Sequence, residues 1–245
     1  MNKLIKKILD IKFVQQILSI GTFLITKEKT ALKQISEEKY LKDIFGKLDD
    51  KQLLKAYDKA WEAKNFEIEN YWKRANYFWA FQVASFAGYF SVLSADFYKE
   101  DKNVLFYVIS IGFVTSLAWS FINIGSKTWQ RHWEIHVDLL EEKITGPLYK
   151  IVTSKKTFSV SKINEIVSRF FVLIWILIGT LFLVENTTLK YTGIENINIP
   201  ISISLIILIY FSIAMYHGYG RGRFGHRKVK LYERNYSVEN KKSKK

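Results

Sequence analysis

Two histidines one helical turn apart, His132 and His136, are the side chains of this sequence best suited to chemistry. Imidazoles four residues apart lie on one face of a helix and could share a zinc ion. The segment reads HWEIH, which is neither H-E-x-x-H nor its inverted form. The chain has no cysteine, and Asp138 and Glu141 are the nearby carboxylates. A membrane-bound hydrolase or metalloenzyme is therefore the weakest hypothesis, and packing of an aromatic-rich helix is favoured.

Other catalytic patterns are missing from the sequence. It contains no P-loop, nucleophile elbow, dinucleotide fingerprint or pair of catalytic carboxylates. No Asp, Glu, Lys or His lies near the middle of an apolar run, where ion pumps and proton-coupled carriers keep such a group. We therefore predict a protein without metal, cofactor or enzymatic activity, and a transporter is disfavoured.

Four apolar runs dominate the chain and must position these residues. Ala75–Ala95 and Asn103–Ser126 are separated by a short charged bridge, and residues 166–184 and 199–216 follow. At a helical rise of about 1.5 Å per residue, the first run is about 31 Å long, close to the hydrocarbon thickness of a bilayer. We therefore predict an all-α polytopic membrane protein with four transmembrane helices in two hairpins.

The remaining segments are predicted to form a helical cytoplasmic region. Residues 1–74 begin with an amphipathic helix, and a second helix then runs into the first span without Gly or Pro. Residues 127–165 continue the second span as one helical face that ends at Gly146-Pro147. Residues 217–245 are a basic tail.

The distribution of charge predicts the orientation of the chain. The net charge is +14, and residues 1–74, 127–169 and 217–245 hold 34 of the 37 Lys and Arg. Four spans place these segments on one side, so the positive-inside rule puts both termini in the cytoplasm. Binding of nucleic acid is disfavoured, and contact with anionic lipid is predicted for the basic tail residues. These residues are Arg221, Arg223, Arg227, Lys228 and Lys230.

Mildly polar side chains inside the first two runs are candidates to line a pore. They are Gln82, Ser85, Thr115 and Ser116. A lining without a ring of charges would discriminate poorly between ions.

Two unusual strings carry a family resemblance. Residues 66–79 read FEIENYWKRANYFW, and residues 125–141 read GSKTWQRHWEIHVDLLE, with GPLY following at 146–149. Over residues 60–150 the chain resembles the bacterial RipA family of octameric inner-membrane proteins. The resemblance implies a homo-octamer with a cytoplasmic helical assembly and no known reaction. We assign oligomer or cytoplasmic packing to the motif residues Tyr71, Trp72, Arg74, Trp129, Trp133, His136 and Leu140.

The leading hypothesis is a non-enzymatic inner-membrane protein that forms a ring-like homo-oligomer around a pore or a lipid-filled centre. The alternative is a membrane-perturbing effector of a bacterial stress or anti-phage system, triggered by a cytosolic protein partner. Growth arrest and dye uptake on induced expression would distinguish the second hypothesis from the first.

Overall fold

The computed structural model describes residues 36–96, 101–152, 157–186 and 198–217. Within these residues the chain is helical and has no strand, which confirms the all-α prediction. Its four long helices are α1 (Asp50–Ser94), α2 (Asn103–Leu140), α3 (Val160–Asn186) and α4 (Ile199–His217). An α-helical turn at Glu37–Lys39 and a π-helix at Tyr40–Ile44 precede α1, and a 3₁₀ turn at Glu141–Lys143 extends α2. The predicted amphipathic helix at the start of the chain and the lipid-binding residues Arg221–Lys230 lie outside the described residues.

Helix α1 is a single helix of 45 residues, as the lack of Gly and Pro before Ala87 predicts. It begins with a capping box, in which the Asp49 carboxylate accepts the Gln52 backbone N–H at 2.7 Å and the Gln52 side chain accepts the Asp49 N–H at 3.2 Å. A helix of this length is roughly 65 Å long, about twice the hydrocarbon thickness of a bilayer. Much of α1 must therefore lie outside a membrane.

Helix α2 is the central element and contacts α1, α3 and α4. It runs antiparallel to α1, with Gln82 bonded to Thr115 and Gly88 facing Val108. Just before α4, Asn198 donates to a side-chain oxygen at the first residue of α2 at 2.7 Å, so both helices begin at the same end. The four helices therefore alternate in direction.

Two separate apolar clusters hold the helices together. The membrane core lies within the apolar runs, and its buried members are Leu105, Phe106, Ile109, Trp175, Phe182 and Ile201. The outer cluster joins the start of α1 to the end of α2, and its buried members are Leu53, Tyr57, Ala60, Val137 and Leu140. Buried residues on α1 are separated by three, four or seven positions, which is the spacing of one helical face.

Three of the described helices are long and apolar enough to cross a membrane. They are α2 with its 3₁₀ extension (Asn103–Lys143), α3 and α4. The predicted count of four is therefore wrong by this measure, because the second half of α1 is not among them. Residues 75–94 lack charge but include one Asn, one Gln, two Tyr and three Ser, whose polar groups reduce the mean hydropathy. An uncharged segment is not necessarily an apolar one.

Candidate functional site

Gln82 is the centre of a polar joint between three helices. Its amide is buried, with Nε2 donating to Thr115 Oγ1 at 3.0 Å and Oε1 accepting from Trp175 Nε1 at 2.7 Å. Side chains of α1, α2 and α3 are thereby linked through one amide. Hydrogen bonds between helices within a membrane hold the helices in register, since no water competes for the polar groups.

The other candidate pore-lining residues also face the inside of the subunit. Ser116 is fully buried and donates to the Phe113 carbonyl of its own helix at 2.8 Å. Ser85 is buried, and the Thr115 hydroxyl donates to the Ile111 carbonyl at 2.9 Å. Gln82, Ser85 and Ser116 are therefore buried within one subunit and Thr115 is partly exposed, and the pore-lining role of these four residues stays a prediction.

Gly112 allows the close approach of α2 and α3 beside this joint. A Cβ at this position would lie within 2.6 Å of three atoms of the Trp175 indole ring. The indole is buried and stacks on the Phe86 ring, with centroids 4.5 Å apart. Gly112 therefore sets the separation of the two helices.

Replacing Gly112 with alanine is expected to lower the free energy of unfolding by about 1–3 kcal/mol, because the added methyl group overpacks a full core. Gly125→Ala on the same helix is the matched control, since nothing lies within 4 Å of a Cβ built there. This control is expected to be neutral or stabilising by up to about 1 kcal/mol. Unfolding of the purified variants in mixed micelles of rising SDS content measures both effects. Equal stability of the two variants would contradict the assignment.

A buried polar layer joins α1, α2 and α3 near one end of their apolar runs. The Asn164 side-chain amide donates to the Tyr71 hydroxyl at 2.8 Å and to Asn123 Oδ1 at 3.1 Å. Asn123 Nδ2 and the Ser120 hydroxyl donate to Ser168 Oγ at 3.3 and 3.1 Å. Every member is buried and bonded, so the layer fixes the relative rotation of the three helices.

The polar layer and its surroundings contain three of the residues assigned to packing by the sequence. Burial raises the pKa of the Tyr71 hydroxyl, which therefore stays protonated and donates to the Ser161 carbonyl at 3.1 Å. Arg74 donates to the Ser126 hydroxyl at 2.7 Å. Trp72 packs edge-on against the Tyr71 ring and remains partly exposed.

The two histidines pack against the segment that precedes α1. Their ring centroids are 4.7 Å apart, and His136 Nδ1 lies 2.5 Å from the Tyr40 hydroxyl. Burial raises the pKa of Tyr40 to about 12, so this hydroxyl stays protonated and shares a hydrogen bond with His136 Nδ1. Among the described residues no group of three or more His, Cys, Asp or Glu could hold a metal ion. The pair packs against Tyr40 in this structure, and the absence of a metal stays a prediction.

The outer cluster takes up further motif residues. Leu140 is buried within it, and Trp133 packs against its edge. Trp129 lies nearer the apolar run, is exposed, and contacts the His132 ring edge-on at a centroid distance of 5.7 Å. The motif residues therefore divide into those used inside the subunit and those, such as Trp72 and Trp129, that keep an exposed surface.

Two buried charged side chains hold the turn that follows α2. The Glu141 carboxylate accepts the backbone N–H groups of Tyr149 and Lys150 at 2.7 and 3.1 Å. Buried Lys64 donates to the Tyr149 hydroxyl and lies 3.5 Å from the centroid of the Trp61 ring. We call Lys64, Glu141 and Tyr149 the loop anchor. It explains why a tyrosine follows the Gly-Pro pair at this spacing.

The turn itself depends on Gly146, which has φ of +71°. Left-handed backbone of this kind suits glycine and ends a helix. Pro147 follows and cannot continue the helix. The predicted termination at Gly146-Pro147 therefore has a structural basis, although regular α-helix ends a few residues earlier, at Leu140.

Several of these residues are not identified by the sequence analysis. Ser120 with Asn123, and Asn164 with Ser168, are polar pairs three and four residues apart in or beside apolar runs, and this spacing is a usable signal. Lys64 carries no such signal, because it is one of many basic residues before the first run. Its burial follows only from the contacts with Trp61 and Tyr149.

A comparison with known families identifies the family of this chain. The model of the octameric membrane protein family, 8xMP, matches residues 54–185, more than half of the 245-residue chain. The matched range contains the Gln82 joint, the polar layer and the loop anchor. No curated protein and no solved structure matches the chain. The family match confirms the octameric membrane family that the two motif strings indicate, and the chain belongs to the octameric membrane protein family.

Proposed function

We propose that the chain is a non-enzymatic subunit of a ring-like homo-octamer in the bacterial inner membrane. The observation that carries this proposal is the family membership, because the family is described as octameric. Three helices with the length and composition of membrane spans support it. No reaction is needed to account for the buried polar residues, since each of the three sites described above joins parts of one subunit.

We further propose that the second half of α1 also crosses the membrane. Gln82 lies beside Thr115 and Gly88 beside Val108, so this half runs along the apolar part of α2 over the same depth. Gln82, the most polar residue near the middle of this half, faces α2 and α3 instead of lipid. A helix shielded in this way tolerates a composition that would be unfavourable for an isolated span.

Four crossings place both termini on the same side of the membrane. The Lys and Arg residues outside the spans then concentrate on that side, which the positive-inside rule assigns to the cytoplasm. The cytoplasmic part consists of the first half of α1, the end of α2 and the connection to α3, together with the terminal segments. A reporter fused after Lys245 is expected to be active only in the cytoplasm, and a periplasmic signal would contradict this orientation.

The outward face of α1 suits contact with neighbouring subunits better than contact with lipid. Exposed Ala80, Ala84, Ala87 and Ser91 share this face, and small side chains allow another helix to approach closely. Large side chains such as Tyr77, Val83 and Phe90 flank this row of small residues, whereas α3 and α4 expose large aliphatic and aromatic side chains without such a row. We therefore place α1 toward the ring interior and α3 and α4 toward lipid.

The proposal is tested by the mass of the purified assembly and by its conductance. Native mass spectrometry is expected to give eight copies of the 28.8 kDa chain, and a stable monomer would overturn the ring. Recording in planar bilayers tests the pore, for which weak ion selectivity is expected because no ring of charges lies in the apolar runs. Silence under all conditions would leave a ring with a closed or lipid-filled centre.

In the alternative, the same octamer is an effector that damages the membrane of the cell that makes it. Growth arrest and dye uptake on induced expression would favour a membrane-perturbing effector triggered by a cytosolic partner. Harmless overexpression would favour the first proposal.

A further inference from the structure

Five exposed side chains form an apolar surface at the loop anchor, and one of them, Tyr149, belongs to the anchor itself. Leu148, Ile151 and Val152 are 70%, 75% and 81% exposed, and Trp61 and Tyr149 beside them are 37% and 36% exposed. We call these five residues the outer patch. Leu148, Ile151 and Val152 follow one another in one short segment, and the Trp61 ring contacts the Tyr149 ring at a centroid distance of 5.4 Å. Exposed large apolar side chains grouped in this way are candidates for an interaction site.

The Tyr149 end of the outer patch lies too far from the bilayer for lipid to cover it. Lys64, which bonds to Tyr149, precedes the apolar run at Ala75 by eleven residues, or about 16 Å of helix. Even a helix tilted by about 40° holds Tyr149 at roughly 12 Å from the edge of the hydrocarbon. The headgroup layer on each side is only about 5–7 Å thick. A protein surface is therefore needed to cover the patch.

The outer patch is held in a fixed shape before any partner binds. Glu141 binds the backbone of Tyr149 and Lys150, and the Ile151 N–H donates to the Pro147 carbonyl at 3.2 Å. Burying a carboxylate is unfavourable unless it accepts hydrogen bonds. The buried Glu141 carboxylate therefore fixes the backbone of the loop whose aliphatic side chains are exposed. Pre-organised surfaces lose little conformational entropy on binding.

We propose that the outer patch is a contact between neighbouring subunits of the octamer, with a second copy of this chain as its occupant. This inference rests on the proposed function and names the surface that it uses. A closed ring requires each subunit to present two different faces, one to each neighbour. The outer patch has the composition of one such face, because protein interfaces have an apolar centre and a polar rim. Its centre is apolar, and the Lys150–Glu142 ion pair lies at its edge.

The double substitution Ile151→Glu with Val152→Glu tests the proposal on the full-length protein. Both side chains are exposed in the subunit, so the charges are expected to leave the fold intact and to prevent burial against a neighbour. Native mass spectrometry is expected to show loss of the eight-copy species. The matched control is Lys55→Gln with Lys59→Gln, which changes the net charge equally at exposed positions on α1 and is expected to remain octameric.

A second measurement uses the absence of cysteine from the chain. In the octamer, the single thiol of Ile151→Cys is expected to react with a maleimide at least about tenfold more slowly than the single thiol of Lys59→Cys. A tenfold ratio corresponds to about 1.4 kcal/mol of protection. Equal rates, or an intact octamer in the double-glutamate variant, would overturn the outer patch as an interface. A wild-type protein that is not octameric would instead overturn the proposed function.

Discussion

Replacing Trp175 with alanine is expected to lower the free energy of unfolding by about 4 kcal/mol, the largest single effect in the described bundle. The indole fills the space that Gly112 leaves open and stacks on Phe86. Its removal creates a cavity in the membrane core and also leaves Gln82 Oε1 without its donor. SDS-induced unfolding of the purified protein in mixed micelles measures the change.

The conservative variant Trp175→Phe helps to separate the two contributions. It keeps a six-membered ring in the core but removes both the N–H that bonds to Gln82 and part of the indole volume, so a loss of about 2–3 kcal/mol is expected. Combining it with Gln82→Leu completes a double-mutant cycle, in which the coupling energy should be clearly favourable. Additive effects of the two substitutions would mean that the 2.7 Å hydrogen bond contributes nothing to stability.

Replacing Glu141 with alanine is expected to cost about 3 kcal/mol, because two backbone N–H groups lose a charged acceptor and remain partly buried. The acceptor is fully buried, and its two bonds fix the backbone at Tyr149 and Lys150. The loss should be local, with faster hydrogen exchange at these two amides and little change in the membrane core. If the outer patch is a subunit contact, the octamer should also weaken.

The adjacent glutamate supplies the control for this experiment. Glu142 is exposed and forms an ion pair with Lys150 at 2.7 Å. Exposed pairs of this kind contribute little to stability, so Glu142→Ala should have a small effect although it removes the same charge. Similar losses from both alanine variants would show that net charge, and not the buried hydrogen bonds, stabilises the turn.

Local pattern in the sequence is sufficient to predict several elements of the fold. The uncharged run from Asn103 predicts the membrane part of α2, and the regular spacing from Trp129 to Leu140 predicts its continuation as one helix. The absence of Gly and Pro predicts the unbroken length of α1. Each of these predictions depends on residues within a few turns of one another, where helical periodicity applies directly.

The same reasoning does not identify the partner of a polar side chain. Gln82 within an uncharged run is equally consistent with a pore lining and with a bond between helices. Helical periodicity shows which residues share a face with Gln82, but it does not show what that face contacts. Its bond to Trp175 joins residues 93 positions apart. The first run is also more polar than its lack of charge indicates, because Asn76, Gln82 and three serines lower its mean hydropathy.

By itself, the sequence of this protein determines an all-α membrane chain and its membership of an octameric family. Only the tertiary structure decides that Gln82, Asn123 and Asn164 face other helices, that Lys64 and Glu141 are buried, and that the aliphatic residues after Gly146 are exposed. The physical reason is that helix formation follows from neighbouring residues, whereas burial depends on which helical faces meet across nearly a hundred residues of chain.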